Sequence, residues 1–416
     1  MKVIEISRSL RREWQFMLRD RAALLWITIA LLLSSAAVGM GLLEISAQRA
    51  ELAELTRLDT EDRKRVLSKQ SDWGAAGYYT FHLVSDPPSN FAFAALGMRD
   101  VATWKHRIRM LALEGQIYDS DTANPDIALV GRIDFAFVAA LLTPLLIILL
   151  LFDMKSSERA AGRFELIEAS GQNVWRFRTL VRLGVLALAL LLPLFIGAVI
   201  SQAKLSLLLA AAVSVIIYIL FWAWLSSRVF SARRNGATNL AWGLGLWLFF
   251  CLLLPASLTA AINASIPLPK SNEITLTQRE AVNDAWDLPV AETMMPFVKR
   301  HPQWKEYSKL PDTFTWTWYY AFQQVGDQTV EPLSLVYRKG REQRDRAALW
   351  TSLISPATAM QRILERLANT DMQAAAHYEQ KVRDYHASLR AFYYLKLFKV
   401  QSFDAQSAFD SLPIFE

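Results

Sequence analysis

The 416-residue chain has a single cysteine, Cys251, so no disulfide can form within it and packing alone must hold its folded parts together. Histidine is scarce. His82, His106, His301, His377 and His386 show no metal-ligand spacing and give no ground for a metal site. No Gly-x-x-x-x-Gly-Lys-Ser/Thr run occurs, which excludes the usual phosphate loop for ATP. No Gly-x-Ser-x-Gly elbow marks a hydrolase nucleophile, so catalysis by this chain is not expected and no cofactor is implied. Charge is absent from the middle of five apolar stretches: Ala22–Leu43, Ile133–Phe152, Leu183–Ile200, Leu205–Leu225 and Leu240–Ile262. A helix needs about 20 mostly apolar residues to cross the hydrocarbon layer, so the sequence predicts five transmembrane helices. Only Asp134 touches a span, at its edge. Ion-coupled carriers keep ionisable groups inside their spans despite the cost in lipid, and their absence argues against a secondary transporter.

What charge there is collects in two hydrophilic blocks, Glu44–Arg132 and Asn263–Glu416, each long enough to bury a core of its own. The predicted fold is therefore an all-α polytopic membrane protein with two large, mainly helical extracytoplasmic domains. Its segments are a surface helix (1–21), span one (22–43), the first domain (44–132), span two (133–152), a cytoplasmic segment (153–182), spans three to five (183–262) and the second domain (263–416). Lys2, Arg8, Arg11, Arg12, Arg19 and Arg21 precede span one. Lys155, Arg159, Arg163, Arg176, Arg178 and Arg182 lie between spans two and three, and Arg228, Arg233 and Arg234 follow span four. Short cytoplasmic loops hold the excess of Lys and Arg, which puts the N-terminus inside and both blocks and the C-terminus outside, in the periplasm of a bacterial inner membrane. The first apolar segment follows a long basic region without a clear cleavage site and reads as a retained anchor. The net charge of +6 sits where anionic lipid would meet it, so it makes no case for nucleic acid.

Val3, Ile4, Ile6, Leu10, Trp14, Met17 and Leu18 recur at intervals of three and four among Arg8, Arg11, Arg12, Glu13 and Arg19. That spacing makes an amphipathic helix at the membrane surface, either a lipid anchor or also a platform for a cytoplasmic partner. The segment from Phe152 to Arg178 is too polar to insert. It contains Glu158, Arg159, Gly162, Arg163, Glu165, Leu166, Ile167, Glu168 and the Ser170-Gly171 break, and reads as two short helices tethered by a span at each end.

The N-terminal amphipathic helix, the long insertion after span one, the Glu-Arg-x-x-Gly signature just inside span two and the basic run entering span three together resemble the permease subunits of type-2 ABC exporters. The branch is similar to the gliding-motility and nitrous-oxide-reductase maturation permeases and to relatives with large periplasmic insertions. The resemblance covers residues 1–260 by arrangement and is specific over Phe152–Arg182. It implies that Glu158, Arg159 and Gly162 form a coupling helix docking in a groove of a separate ABC ATPase subunit, with Arg178 where the family commonly has a basic residue. Arg163 and Ser170-Gly171 stand where the family often has Thr and Pro. Family members commonly have six spans, one more than is found here. The run from Leu353 through Ser355-Pro356 to Ala368 is similar to a Ser-Pro helix of the large-insertion members.

Outside that resemblance, Ile45–Gln70 reads as an outward extension of span one, and Asp72–Asn90 as an aromatic loop. The second block should open irregularly through Pro267, Pro269, Pro289 and Pro302. Thr313–Tyr320 alternates in a β-prone way, with a helix start as the other option, and long helices follow from about Gln328 to Lys399, broken near Pro356. Its aromatic residues form core, or else face a substrate or periplasmic partner. Pro144, Pro193 and Pro255 are tolerated kinks or hinges. Gly39, Gly41, Gly243 and Gly245 offer close helix approach, and Trp222, Trp224 and Trp242 an interfacial belt. The whole points to an exporter permease working as a dimer with a second copy or a related permease, moving an unidentified substrate outward. The other readings are a mechanical relay from the same ATPase to a periplasmic partner, and a membrane sensor without ATPase.

Overall fold

The computed structural model describes residues 2–118, 133–170, 173–232 and 234–415. Gly171, Arg233, Glu416 and the end of the first block (119–132) lie outside the described residues. The described residues are mainly helical. Helix α1 (Lys2–Met17) ends in a tight turn, and α2 (Arg21–Leu67) begins at once, capped by Asp20, whose carboxylate accepts the Ala23 N–H at 3.1 Å. At 47 residues, α2 carries the first apolar stretch and runs on into the first hydrophilic block without a break. That block adds α3 (Trp73–Tyr79), an antiparallel pair β1 (His82–Ser85) and β2 (Lys105–Ile108), and α4 (Leu113–Tyr118).

The other apolar stretches give α5 (135–151), α8 (Val174–Ile200), α9 (Leu205–Val229) and α10 (Gly236–Ser265). The short helices α6 (Ser156–Ala160) and α7 (Phe164–Ala169) lie between α5 and α8. Among the described residues, five helices are thus long and apolar enough to cross a membrane. They bundle around Ala30, Val38, Leu146, Leu190, Val215 and Trp222, while Leu25, Leu188, Leu220 and Leu253 face outward, as a lipid-facing surface would. The second block supplies α11 (Ser271–Asp284), α12 (Val290–Arg300), α13 (Trp316–Thr351), α14 (Pro356–Ala368), α15 (Met372–Phe398) and α16 (Ala405–Ser411). One end of the bundle carries α1, α6, α7 and the arginines, and is called the basic end. The other, the domain end, carries both hydrophilic blocks.

At the domain end the two blocks share one core. Trp73, Val84, Ile108 and Leu113 of the first pack with Phe297, Tyr320, Phe322, Tyr378 and Tyr393 of the second. Asp327 of α13 accepts the N–H groups of Leu113 and Glu114 at 2.8 and 3.0 Å, and pairs with Arg390 of α15 at 2.5 Å. Glu114 is held by Arg383 at 2.8 Å and by the Ser334 hydroxyl at 2.9 Å. Buried charges that find partners both within the second block and across to the first fix one mutual arrangement of α4, α13 and α15.

One open alternative is decided here, for the helix start, and three readings of the sequence change. Thr313–Tyr320 is no strand: Thr315 accepts the Trp318 N–H and opens α13, and Trp318, Tyr319 and Tyr320 are buried as core. The opening of the second block is helical: Pro267 and Pro269 precede α11, Pro289 caps α12, Pro302 follows it, and Pro296 is accommodated inside α12. Asp72–Asn90 is not wholly loop, since Asp72 caps α3 by accepting the Ala75 N–H at 2.8 Å and β1 follows. Trp222 is 0% exposed in the bundle core, whereas Trp224 and Trp242 do sit outside, beneath the Arg228 and Arg234 guanidiniums.

Two prolines account for two irregular turns. Pro144 has no N–H for the Ala140 carbonyl four residues back, and a π-turn (Val138–Leu142) precedes it. The Tyr218 hydroxyl donates to Ala140 O at 2.6 Å, and Trp247 Nε1 donates to Leu141 O at 2.8 Å. The freed backbone acceptors are therefore satisfied by side chains from α9 and α10. A second π-turn, Phe249–Leu253, precedes Pro255. Gly41 and Gly243 meet the Phe93 backbone and Ile148 closely, while Gly39 and Gly245 face open space.

Candidate functional site

Glu158 and Arg159 lie in α6 and Gly162 on the turn between α6 and α7, and the backbone shows why a glycine stands there. Gly162 has φ +69°, the left-handed region. Its N–H donates to Arg159 O at 2.9 Å, and the Arg163 N–H donates to Glu158 O at 2.9 Å. This is the Schellman closure, in which a left-handed residue just past the helix lets two orphan carbonyls find donors. The Glu-Arg-x-x-Gly spacing is thus the spacing of a helix end: Glu158 and Arg159 offer the carbonyls, and Gly162 supplies the turn. No atom lies within 4 Å of where a Gly162 Cβ would be, so conformation rather than crowding selects the glycine.

The side chains of Glu158 and Arg178 meet. Arg178 Nη1 donates to Glu158 Oε1 at 3.0 Å, and the other carboxylate oxygen accepts from Arg163 Nε at 2.8 Å. Arg178 continues the line, its Nε donating to Glu13 Oε2 at 2.9 Å, and Arg12 closes it on Glu13 Oε1 at 3.1 Å. Glu13 is 1% exposed. A ladder of five alternating charges, Arg12–Glu13–Arg178–Glu158–Arg163, therefore ties α1, α8 and α6 together. One turn along α8, Arg182 pairs with Asp20 at 2.6 Å and donates to Leu150 O at 2.5 Å, which adds the start of α2 and the end of α5. Such pairs are worth little at a surface, but breaking a buried one leaves a charge without a partner.

Arg159 takes a different course. Its guanidinium lies 4.5 Å from the centre of the Phe164 ring and donates to Ala232 O at 3.1 Å, in the loop after α9. Phe164 stacks on Trp175 of α8, with ring centres 5.4 Å apart. The short helices are pinned inward by Phe164 and Glu158, and what they turn outward is Arg163, Glu165, Leu166, Glu168 and Ser170. Leu166 is 73% exposed, a large apolar side chain at the apex of a charged hairpin.

The sequence singled out Glu158, Arg159, Gly162 and Arg178, and the structure brings all four into one corner of the bundle. It missed Glu13, the buried partner of Arg178; the one signal was an acid set in a basic helix face. It also missed Arg182, although the spacing of four from Arg178 puts both on one face of α8.

Comparison with known proteins bears on the other end of the chain. Residues 272–416 match a domain of unknown function, DUF3526. No curated protein and no solved structure matches the chain. The DUF3526 segment begins in α11, holds α12 to α16 and covers about a third of the chain, and it contributes no residue to the charge ladder.

Proposed function

We propose that the chain is the transmembrane permease subunit of an ATP-binding-cassette exporter, driven by a separate ATPase that presses on the α6–α7 hairpin. The observation that carries this reading is the hairpin itself: exposed at its apex and clamped by Glu158, Arg178 and Glu13 to a surface helix and a bundle helix. A push on Leu166 reaches α8 through the Phe164–Trp175 stack and the Glu158–Arg178 pair, and reaches α5 directly through the chain. In this reading the bundle crosses the bacterial inner membrane, the basic end is cytoplasmic, and the exposed apolar face of α1, with Ile6, Trp14 and Leu18, lies in the inner leaflet. A second permease, identical or related, completes the translocation path.

Leu166 makes no packing contribution that its removal would cost, so Leu166→Asp tests docking without unfolding the protein. Affinity purification in mild detergent should bring down an ATPase with the parent chain and lose it with Leu166→Asp. If no nucleotide hydrolase co-purifies even after cross-linking, the reading is wrong. The relay reading, in which the same ATPase works a periplasmic partner and nothing is carried, is favoured by the unbroken course of α2 from the basic end into the shared aromatic core. Substitutions on the outer face of the domain end would abolish a relay and leave export standing.

A further inference from the structure

The second hydrophilic block is not confined to the water beyond the bundle. Arg344, late in α13, donates to the Ile266 carbonyl at 2.9 Å and to the Asn263 carbonyl at 3.4 Å, groups the last turn of α10 leaves without helical donors. This sets Arg344 level with the end of α10. From there α13 turns back along α10, and α14 returns packed against α9, the π-turn 138–142 of α5 and the π-turn 249–253 of α10. Those residues of α10 lie about 20 Å before its end, at 1.5 Å per residue. Ala357, Met360, Leu364 and Ala368 of α14 are buried in the same core as the five long helices.

The composition of the turn matches its position. No residue between Arg346 and Arg362 is charged. Leu349, Trp350, Leu353 and Ile354 are all exposed, Trp350 by 72% and Leu353 by 77%, a contiguous apolar tip that water would penalise. The polar atoms at the tip are satisfied locally. The Ser352 and Ser355 N–H groups donate to Ala348 O and Thr351 O at 3.1 and 3.0 Å, and those of Leu353 and Ile354 to Trp350 O and Thr351 O at 3.1 Å. The hydroxyls of Ser355 and Thr358 meet at 2.7 Å. Backbone that turns inside hydrocarbon must close its own hydrogen bonds in this way. The stretch is too short for a spanning helix, so a search for runs of about 20 apolar residues passes over it.

We propose that residues 346–362 form a re-entrant hairpin whose tip, Trp350 to Ile354, sits among the acyl chains of the leaflet on the domain side. The occupant of the exposed face is lipid, because that face continues the outward apolar surface of α10, where Leu248, Leu252 and Leu253 are exposed as well. Arg344 and Arg346 on one arm and Arg362 and Arg366 on the other mark the headgroup level. The DUF3526 segment would then be a membrane-inserted part of the bundle, closing it between α5, α9 and α10. The proposal rests on the membrane reading of the five long helices, and its test separates the two.

The test is power-saturation EPR on the full chain in liposomes, with Cys251→Ala as background and nitroxides at Leu353→Cys and, in a second variant, Trp350→Cys. Arg346→Cys serves as the headgroup marker and Leu220→Cys on α9 as the lipid marker. Labels at 353 and 350 should be accessible to oxygen and shielded from a nickel chelate, with 353 deeper than 350 and 346 reached by nickel. Nickel access at 353 and 350, with 220 shielded, overturns the hairpin alone. Low access to both reagents at 353 and 350 means that protein covers the tip, a second copy or a partner, and overturns the lipid assignment. Nickel access at 220 as well overturns the membrane reading itself.

Discussion

Charge pairs run through both ends of the bundle, but only the domain end adds a large aromatic core. At the basic end, helices of five and six residues are held by a line of charges and one aromatic stack, with an apolar apex in the open. At the domain end, Trp73 alone meets Phe392, Tyr393 and Phe403 edge-on at 5.1 to 6.2 Å and donates to the Ser402 carbonyl at 3.1 Å. Charge pairs are directional and can be traded for others, whereas interlocked rings must part altogether before they move.

The largest break in this contrast should come from Trp73→Ala. Deleting a buried indole typically costs about 3–5 kcal/mol, which differential protease resistance would register as loss of the whole domain end with α8 and α9 still protected. Arg178→Met keeps the apolar stem and removes the charge, leaving Glu13 with Arg12 alone. Breaking a buried pair costs about 3 kcal/mol at the low end of measured cases, and SDS titration in mixed micelles should show it; adding Glu13→Gln should return part of the loss. Equal damage to both ends from either change would erase the distinction.

Acid should separate the ends again, because every histidine lies at the domain end. Burial lowers His82 to about 3, with Arg63 and His386 adding to it, and its Nδ1 is engaged by the Tyr385 hydroxyl at 3.0 Å. Its unfolded form takes up a proton near 6.5 while the folded form does not, so stability is full above that value and falls as pH drops below it. At pH 5.5 His82 alone contributes a loss of about 1.4 kcal/mol. Unfolding of the domain end followed by tyrosine and tryptophan fluorescence between pH 7.5 and 5.5 should show this slope, and His82→Gln should reduce it, the rest coming from His106, His301 and His386, which burial lowers as well. The smallest expected effect is at Gly162. An alanine there has room but the wrong φ, at a cost of about 1 kcal/mol, read as faster amide exchange over residues 156–169; Gly162→Asn, which tolerates the left-handed region, should lose less.

The long helices were legible because apolar runs of membrane length are rare in other settings; the apolar stretches fall inside the observed helices, although α2 runs on to Leu67 and α8 begins nine residues early, at Val174. Gly162 was singled out by the resemblance of Glu-Arg-x-x-Gly to a permease signature, and the structure supplies a backbone reason for the glycine. What stayed hidden was relational. Glu13 is separated from Arg178 by 165 residues, and nothing local marks it as different from a solvated acid. Trp222 sits at an ordinary interfacial position along α9 and owes its burial to the side it faces. The short β1–β2 pair has four residues per strand, too few for alternation to stand out. The apolar tip at Trp350 was hidden by brevity, since half a span split over two helices never fills a window of about 20 residues.

The unbroken course of α2 has a mechanical corollary. From Leu43 to its end at Leu67 the helix extends beyond the first apolar stretch by about 36 Å, at 1.5 Å per residue. With its foot set beside Asp20 and Arg182, the whole helix is a lever of about 70 Å, and a lean of about 5° at the base would carry the far end sideways by about 6 Å, more than one Cα-to-Cα step. The helix thus works as a mast, and small rotations at its foot arrive at the aromatic core as displacements comparable to the side-chain contacts there.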